Sequence, residues 1–283
     1  MKTSALITSF GQVSAPLSPQ ELNLAALRQG LSNNAFVAFY QPQLSLKKGT
    51  IVGLEVLARW NHPEKGLLTP AHFLEAIERF DLLDELFLRL FEQGLVLRKK
   101  LESVNLPVTM SFNLQPSQLS NPMLNKAINV LLRTHQCRAD AVTLEITETG
   151  TLKLSDVVMD NLLQLRQMGC GVSLDDFGTG FSSLERLCDL PFSELKLDAI
   201  FVRRLDTHPA CAAIVTHAVG LANALGLSLI VEGVENQRQL KQLSAMGCSI
   251  VQGYAIAAPM ADDALQCFML KPAASTRVVL KSV

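Results

Sequence analysis

Glu55, Asn113, Glu145, Asp175, Asp176, Lys196, Glu232 and Gln252 are spread over most of the chain. Each stands at or just beyond the C-terminal end of a short apolar run that reads as a β-strand. If those strands are members of one parallel α/β barrel, their C-terminal ends meet on one face and the side chains converge there. Carboxylates gathered that closely repel one another unless protons or cations intervene. Oxygen-rich clusters of this kind suit hard divalent ions such as magnesium or manganese. Such a cluster could carry metal-assisted chemistry.

Strand parity sharpens the picture, because successive side chains point to opposite faces. In LEIT, Glu145 shares a face with Thr143 and Thr147, while Leu144 and Ile146 point toward surrounding helices. In ELKLD, Lys196 and Asp198 share one face, and Leu195 and Leu197 the other. Glu232 opposes Val231. Each residue also has a plain structural use: Asp175, Asp176 and Glu148 could cap the segments that follow them, Lys196 could be an ion-pair partner, and Asn113 and Gln252 could satisfy backbone groups. Acids gathered in such numbers at strand ends favour the metal reading, since their burial is costly without a cation.

The elements that must position these groups alternate regularly. FVAFYQPQLSL and IVGLEVLARW, joined by the turn-like KKGT, read as an antiparallel pair. HFLEAIERF and DELFLRLFEQGLVLRKKL read as amphipathic helices. The strands PVTMSFNL, AVTLEIT, GVSLDD, ELKLD, SLIVEG and SIVQGY then each precede a helical stretch. The expected fold is α/β, a (β/α)8 TIM-like barrel with an antiparallel first strand. No G-x-G-x-x-G turn supports a doubly wound sheet. Residues 1–20, rich in Ser, Pro and Gln, read as a flexible lead-in or linker, 21–271 as the barrel and 272–283 as a tail.

Composition agrees with one large core. The chain has 283 residues, 48% hydrophobic and 18% charged, with a net charge of −1. Disorder is excluded, and no global field draws the chain to a nucleic acid polymer or an anionic membrane. Six dispersed cysteines without C-x-x-C spacing, and no visible signal peptide, point to reduced, mostly buried thiols in the cytoplasm. The uncharged stretch from Cys211 to Val231 divides into a helix, a Leu-Gly turn and the strand SLIV, so no membrane span is expected.

The ordered motifs YQP at Tyr40, EVLAR at Glu55, FNLQPSQ at Phe112, LEITET at Leu144, LDDFGTGFSSL at Leu174, LKLD at Leu195, VEGVEN at Val231 and QGY at Gln252 give the chain a family likeness. From about Phe36 to Pro259 it resembles the EAL-domain cyclic di-GMP phosphodiesterases of bacteria. The resemblance implies hydrolysis of cyclic di-GMP to linear pGpG with two divalent cations, Mg²⁺ or Mn²⁺. It makes Glu55, Asn113, Glu145 and Asp175 ligands of one ion, and Asp175, Asp176 and Glu232 ligands of the second. Glu232, Lys196 and Glu55 become the catalytic groups. Gln41, Leu57, Arg59, Asp198 and Gln252 become substrate contacts, and Glu148 and Glu235 steady the DDFGTG loop. Two ions roughly 3.5–4 Å apart can activate a water and neutralise the leaving oxygen. A homodimer and a regulatory sensory or receiver domain are also implied.

Four positions depart from the family pattern. Val56 and Val231 replace common alanines and are packing changes. Ile256 stands where an aromatic often stacks on guanine, and Ala258 where a basic residue often precedes proline. The competing readings are a non-catalytic cyclic di-GMP receptor or protein-interaction module, and an unrelated metal-dependent barrel such as an enolase-like lyase. Complete ligand positions argue against the first, the ordered motifs against the second.

Overall fold

A computed structural model of the chain describes residues 22–147, 155–179 and 187–270. The lead-in 1–20, the tail 272–283, Glu148 and residues 180–184 of the DDFGTGFSSL segment lie outside the described residues. Among the described residues, nine strands form one sheet. They are β1 (Phe36–Ser45), β2 (Thr50–His62), β3 (Gly66–Leu68), β4 (Thr109–Leu114), β5 (Val142–Thr147), β6 (Gly171–Phe177), β7 (Glu194–Leu197), β8 (Ser228–Val231) and β9 (Ile250–Gln252). The order β1-β9-β8-β7-β6-β5-β4-β2, with β1 pairing β2 as well, closes eight of them into a barrel. Strand β1 runs antiparallel to both neighbours, while the pairings from β2 through β4 to β9 are parallel. The short β3, which sequence patterning missed, pairs antiparallel with the end of β2.

Helices α1 (Leu24–Ser32), α2 (Leu74–Arg79), α3 (Leu83–Ser103), α4 (Leu124–Thr134), α5 (Asp156–Met168), α6 (Ala199–Arg203), α7 (Pro209–Leu225), α8 (Gln237–Ala245) and α9 (Asp262–Met269) accompany the strands. Their starts follow local chemistry. The side chains of Asn23, Ser155 and Asn236 accept from backbone N–H groups of the first turns of α1, α5 and α8, which satisfies donors that a helix otherwise leaves open. Gly169 and Gly226 end α5 and α7 in the left-handed conformation, which glycine adopts without a Cβ penalty. The uncharged stretch does divide at Gly226 into α7 and β8. No helix among the described residues is long and apolar enough to cross a membrane.

The apolar core lies between barrel and helices. On α4, Leu124, Ile128 and Leu132 recur at i, i+4 and i+8 and are all buried, the spacing of one helix face. Helix α3 meets the sheet at Gly94, where an added Cβ would lie 2.6 Å from the Phe112 ring and 3.4 Å from Val56. Phe87 and Phe91 close the same contact, with Phe91 and Phe112 ring centroids 4.6 Å apart. The outward faces of the strands are therefore apolar, as parity predicts, and the inward faces carry the polar residues. Among the described residues the cysteines are free, with Cys170, Cys211 and Cys248 buried and Cys188 and Cys267 exposed.

Candidate active site

Lys196, on β7, is the centre of the barrel mouth. It is 1% exposed, yet its Nζ lies 2.9 Å from Glu145 Oε2, 2.7 Å from Glu232 Oε1, 3.2 Å from Asp175 Oδ1 and 3.5 Å from Glu55 Oε2. Those acids come from β5, the residue after β8, β6 and β2. Only inward-pointing side chains of a closed barrel can meet in this way. Parallel registry levels them: Glu145 stands opposite Asn113 on β4 and Ser173 on β6.

Two placements differ from a simple strand-end pattern. Glu55 lies mid-strand in β2. It nevertheless reaches the mouth, because β2 pairs with β4 only from Gly53 to Val56 and continues beyond as a hairpin with β1 and β3. Asp175 and Asp176 are consecutive, so strict alternation would send them to opposite faces. The β6–β7 register shifts between Leu174 and Phe177, leaving two residues of β6 opposite the single Lys196. Asp176 adopts φ = +57° there, a conformation Asp tolerates better than most residues. This bulge lets one oxygen each of Asp175, Asp176 and Glu232 lie within 4.8 Å of one another.

A polar belt holds Glu55. Asn113 Nδ2 donates to its Oε1 at 3.0 Å, and Gln252 Nε2 donates to its Oε2. Gln252 also donates to Gln41 Oε1 at 3.1 Å and accepts from Gln43 Nε2 at 3.1 Å. Gln41, Glu55, Leu57, Asp175, Lys196, Glu232, Glu235 and Gln252 line one cavity of about 290 Å³, together with Arg203 and Tyr254. Leu57 also lines a second, apolar cavity of about 210 Å³ beside Asn113 and Phe112. Arg59 stacks over the Phe39 ring at 5.4 Å. Asp198 caps α6, accepting from Ile200 N at 2.7 Å, and Glu235 pairs with Arg203 at 3.6 Å.

Electrostatics set the charge state. Burial pushes the Glu232 carboxyl up to about 7, with the Lys196 ammonium opposing and Asp175 and Glu55 reinforcing the shift. Burial, then Asp175 and Asp198, lifts Asp176 to about 6. Burial holds Glu145 well above the ordinary carboxylate range despite Lys196. Burial also pushes Glu55 upward, but Lys196 and the amides of Gln252 and Asn113 outweigh it and keep Glu55 below its usual value. Desolvation disfavours the charged form of Lys196, and the carboxylates around it prevail, holding it above the usual lysine range.

The residues fit a divalent cation. Four carboxylates share one ammonium, and Glu145 Oε1 is buried with no hydrogen-bond partner among the described residues. Such an acceptor is costly unless something positive meets it, and an all-oxygen donor set suits a hard cation.

Residues 24–259 match the EAL domain. The chain belongs to the EAL domain family. This EAL domain is 45% identical over 268 residues to the cyclic di-GMP phosphodiesterase RocR of Pseudomonas aeruginosa, covering 93% of this chain and 68% of RocR. It is 35% identical to the bifunctional diguanylate cyclase/cyclic di-GMP phosphodiesterase MucR of the same organism, over 84% of this chain but only 35% of MucR. The chain thus spans about a third of the length of several curated relatives. Among solved structures, the MucR phosphodiesterase in complex with c-di-GMP aligns with TM-score 0.80 at 34% identity, covering 87% of this chain and 99% of that one. The EAL enzyme Bd1971, in its cAMP- and cyclic-di-GMP-bound form, aligns with TM-score 0.80 at 30% identity over 87% of this chain and 67% of that one.

Residues that sequence reasoning missed carried usable signals. Glu194 shares strand parity with Lys196 and Asp198, and its carboxyl is raised by burial. Gln43 shares parity with Gln41 and braces Gln252. Arg203 ends the five-residue helix α6 and Tyr254 stands on a turn, too short a stretch in either case for periodicity to give a direction.

Proposed function

We propose that this EAL domain hydrolyses one phosphodiester of cyclic di-GMP to give linear pGpG, using two divalent cations, Mg²⁺ or Mn²⁺. The observation that carries this reading is the buried Lys196 ammonium ringed by Glu55, Glu145, Asp175 and Glu232 at 2.7–3.5 Å, an acid excess facing an open cavity. Glu55, Asn113, Glu145 and Asp175 would hold one ion, and Asp175, Asp176 and Glu232 the other. When bound, the pair supplies an activated water at neutral pH and neutralises charge on the leaving oxygen.

The chain's own groups divide the remaining work. Lys196, held fully protonated, is a fixed donor for a phosphoryl oxygen or the attacking water. Glu232, with a carboxyl near pH 7, is matched to take a proton at working pH. Asn113 and Gln252 fix both oxygens of Glu55, so that its orientation needs no rearrangement during reaction. Gln41 and Leu57 line the cavity for the nucleotide, Arg59 serves a phosphate and Gln252 the scissile group. Asp198 acts beside Asp176, and Glu235 on the loop that follows β6. A regulatory sensory or receiver domain belongs to this reading, supported by relatives of which the chain covers 68% and 35%. A homodimer acting in the cytoplasm completes the proposal, and the unpaired cysteines accord with that compartment.

The test is direct. Wild-type protein with cyclic di-GMP and Mg²⁺ or Mn²⁺ should yield pGpG by chromatography, and Glu55→Ala and Glu232→Ala should each abolish turnover. Binding of the dinucleotide without product would assign a receptor instead, and turnover retained in either variant would refute the ligand assignment.

A further inference from the structure

The cavity over Lys196, about 290 Å³, is at the small end of ligand cavities. A cyclic dinucleotide is larger than this cavity, so with a phosphodiester on the acidic cluster its purines extend beyond it. The aromatic expected for stacking is missing at position 256, and Ile256 is turned into packing against the core.

Tyr254 stands on that rim. It lines the same cavity as Glu55, Lys196 and Glu232, yet it is 71% exposed, the highest value among the exposed large hydrophobics of the described residues. Its position follows from the turn that carries it. Gly253, at φ = +154°, leaves no room for a Cβ, which would lie 2.2 Å from Val234 N and 2.3 Å from Val234 O. Val234 N donates to Gln252 O at 3.1 Å, Ala255 N to Val234 O at 2.8 Å, and Ile256 N to Gly253 O at 3.0 Å. These bonds hold the backbone on both sides of Tyr254, and the ring stands out in water from that turn. Arg203 lines the same cavity. An aromatic held in water on a fixed turn, in the wall of an acidic cavity that an arginine also lines, is pre-organised to stack on a base.

We infer that Tyr254 is the nucleobase platform of this site, a substrate-binding residue that takes up the role left open at Ile256. The inference rests on the proposed dinucleotide reading. Stacking on one aromatic is worth about 5-fold to 150-fold in affinity. Tyr254→Ala should therefore raise KM for cyclic di-GMP by roughly tenfold or more, with kcat within about threefold of wild type. Tyr254→Phe and Tyr254→Trp should restore KM, because the ring and not the hydroxyl does the stacking.

Dissociation constants measured by calorimetry with Ca²⁺ in place of Mg²⁺ should follow the same order across the four proteins. An unchanged KM and Kd in Tyr254→Ala would overturn the inference, as would a Phe variant as weak as the Ala variant. Wild-type protein that binds the dinucleotide without hydrolysing it would overturn the phosphodiesterase reading alone, since the Kd series still reports on the platform. Wild-type protein that does not bind it would overturn both.

Discussion

Replacing Lys196 with Met tests the electrostatic account of the site most severely. The ammonium is 1% exposed and sits 2.7–3.5 Å from four carboxylates whose side chains are 0–19% exposed. A unit pair at 4 Å interacts by about 4 kcal/mol at an effective dielectric of 20, and desolvation costs several kcal/mol per ion. The gross terms nearly cancel, so the informative quantity is the cost of removing one partner. For a buried pair that cost is about 3–5 kcal/mol. At about 2–4 °C per kcal/mol for a domain of this size, Lys196→Met should melt roughly 6–20 °C below wild type when metal is chelated. Met keeps the length and apolar stem of the side chain, so lost packing contributes little. Adding Glu145→Gln, which removes the need to protonate or pair the fully buried acid, should recover part of the loss. Mg²⁺ or Mn²⁺ should raise the melting temperature of Lys196→Met more than that of wild type, because the acids then have only the added ions to meet. Melting curves followed by circular dichroism, in chelator and in metal, provide the measurement. A Lys196→Met protein that melts within about 2 °C of wild type in chelator would mean that the acids are not held against their repulsion by this ammonium.

The raised carboxyls of Glu232, at about 7, and Asp176, at about 6, favour the protonated folded state. Their contribution to stability is present below the unfolded values of 4.5 and 3.8 and is lost as pH rises through 6 and 7. Metal-free protein should therefore lose melting temperature between about pH 5 and pH 8, metal affinity should rise over the same window as protons leave the ligands, and a flat pH profile in both titrations would contradict the shifts. On the scaffold side, Gly94→Val should destabilise by about 1–3 kcal/mol, because a Cβ there already meets the Phe112 ring at 2.6 Å. Urea titration would show it as a lower midpoint at unchanged slope, and an unshifted midpoint would contradict the tight α3–β4 contact.

Much of this architecture was legible because two periodicities did the positioning. Alternation in LEIT and ELKLD placed Glu145 and Lys196 inward, and the 2.9 Å contact between them bears that out. The antiparallel start was legible from the turn-like KKGT between two apolar runs, and β1 does pair antiparallel with β2 and β9. What periodicity could not supply was any departure from itself. Asp175 lines the pocket with Asp176 gathered beside it only through a bulge and a left-handed φ. Glu55 reaches it because β2 outruns its parallel partner. Glu194 obeyed the rule and was passed over, since it begins its strand just ahead of the LKLD motif.

The departures cluster where the chemistry is, and the reason is physical. A regular parallel strand sends alternate residues inward, about 6.6 Å apart along the chain at roughly 3.3 Å per residue. Oxygens that must lie within 4.8 Å of one another are hard to supply from alternate positions of a single strand. They must come from different strands at one level, or from adjacent residues of one strand that breaks its alternation. This barrel uses both routes: Glu232 follows β8, while Asp175 and Asp176 share the bulge of β6. The bulge carries a local cost, since a non-glycine residue in the left-handed region is strained by roughly 1 kcal/mol or more. Deleting Asp176 would remove the extra residue of β6 opposite Lys196 and leave Asp175 and Glu232 without the third carboxylate of the cluster. Close spacing of the acids and irregularity of the strand are thus one feature, and a site of this kind is to be sought where the alternation in a barrel strand fails.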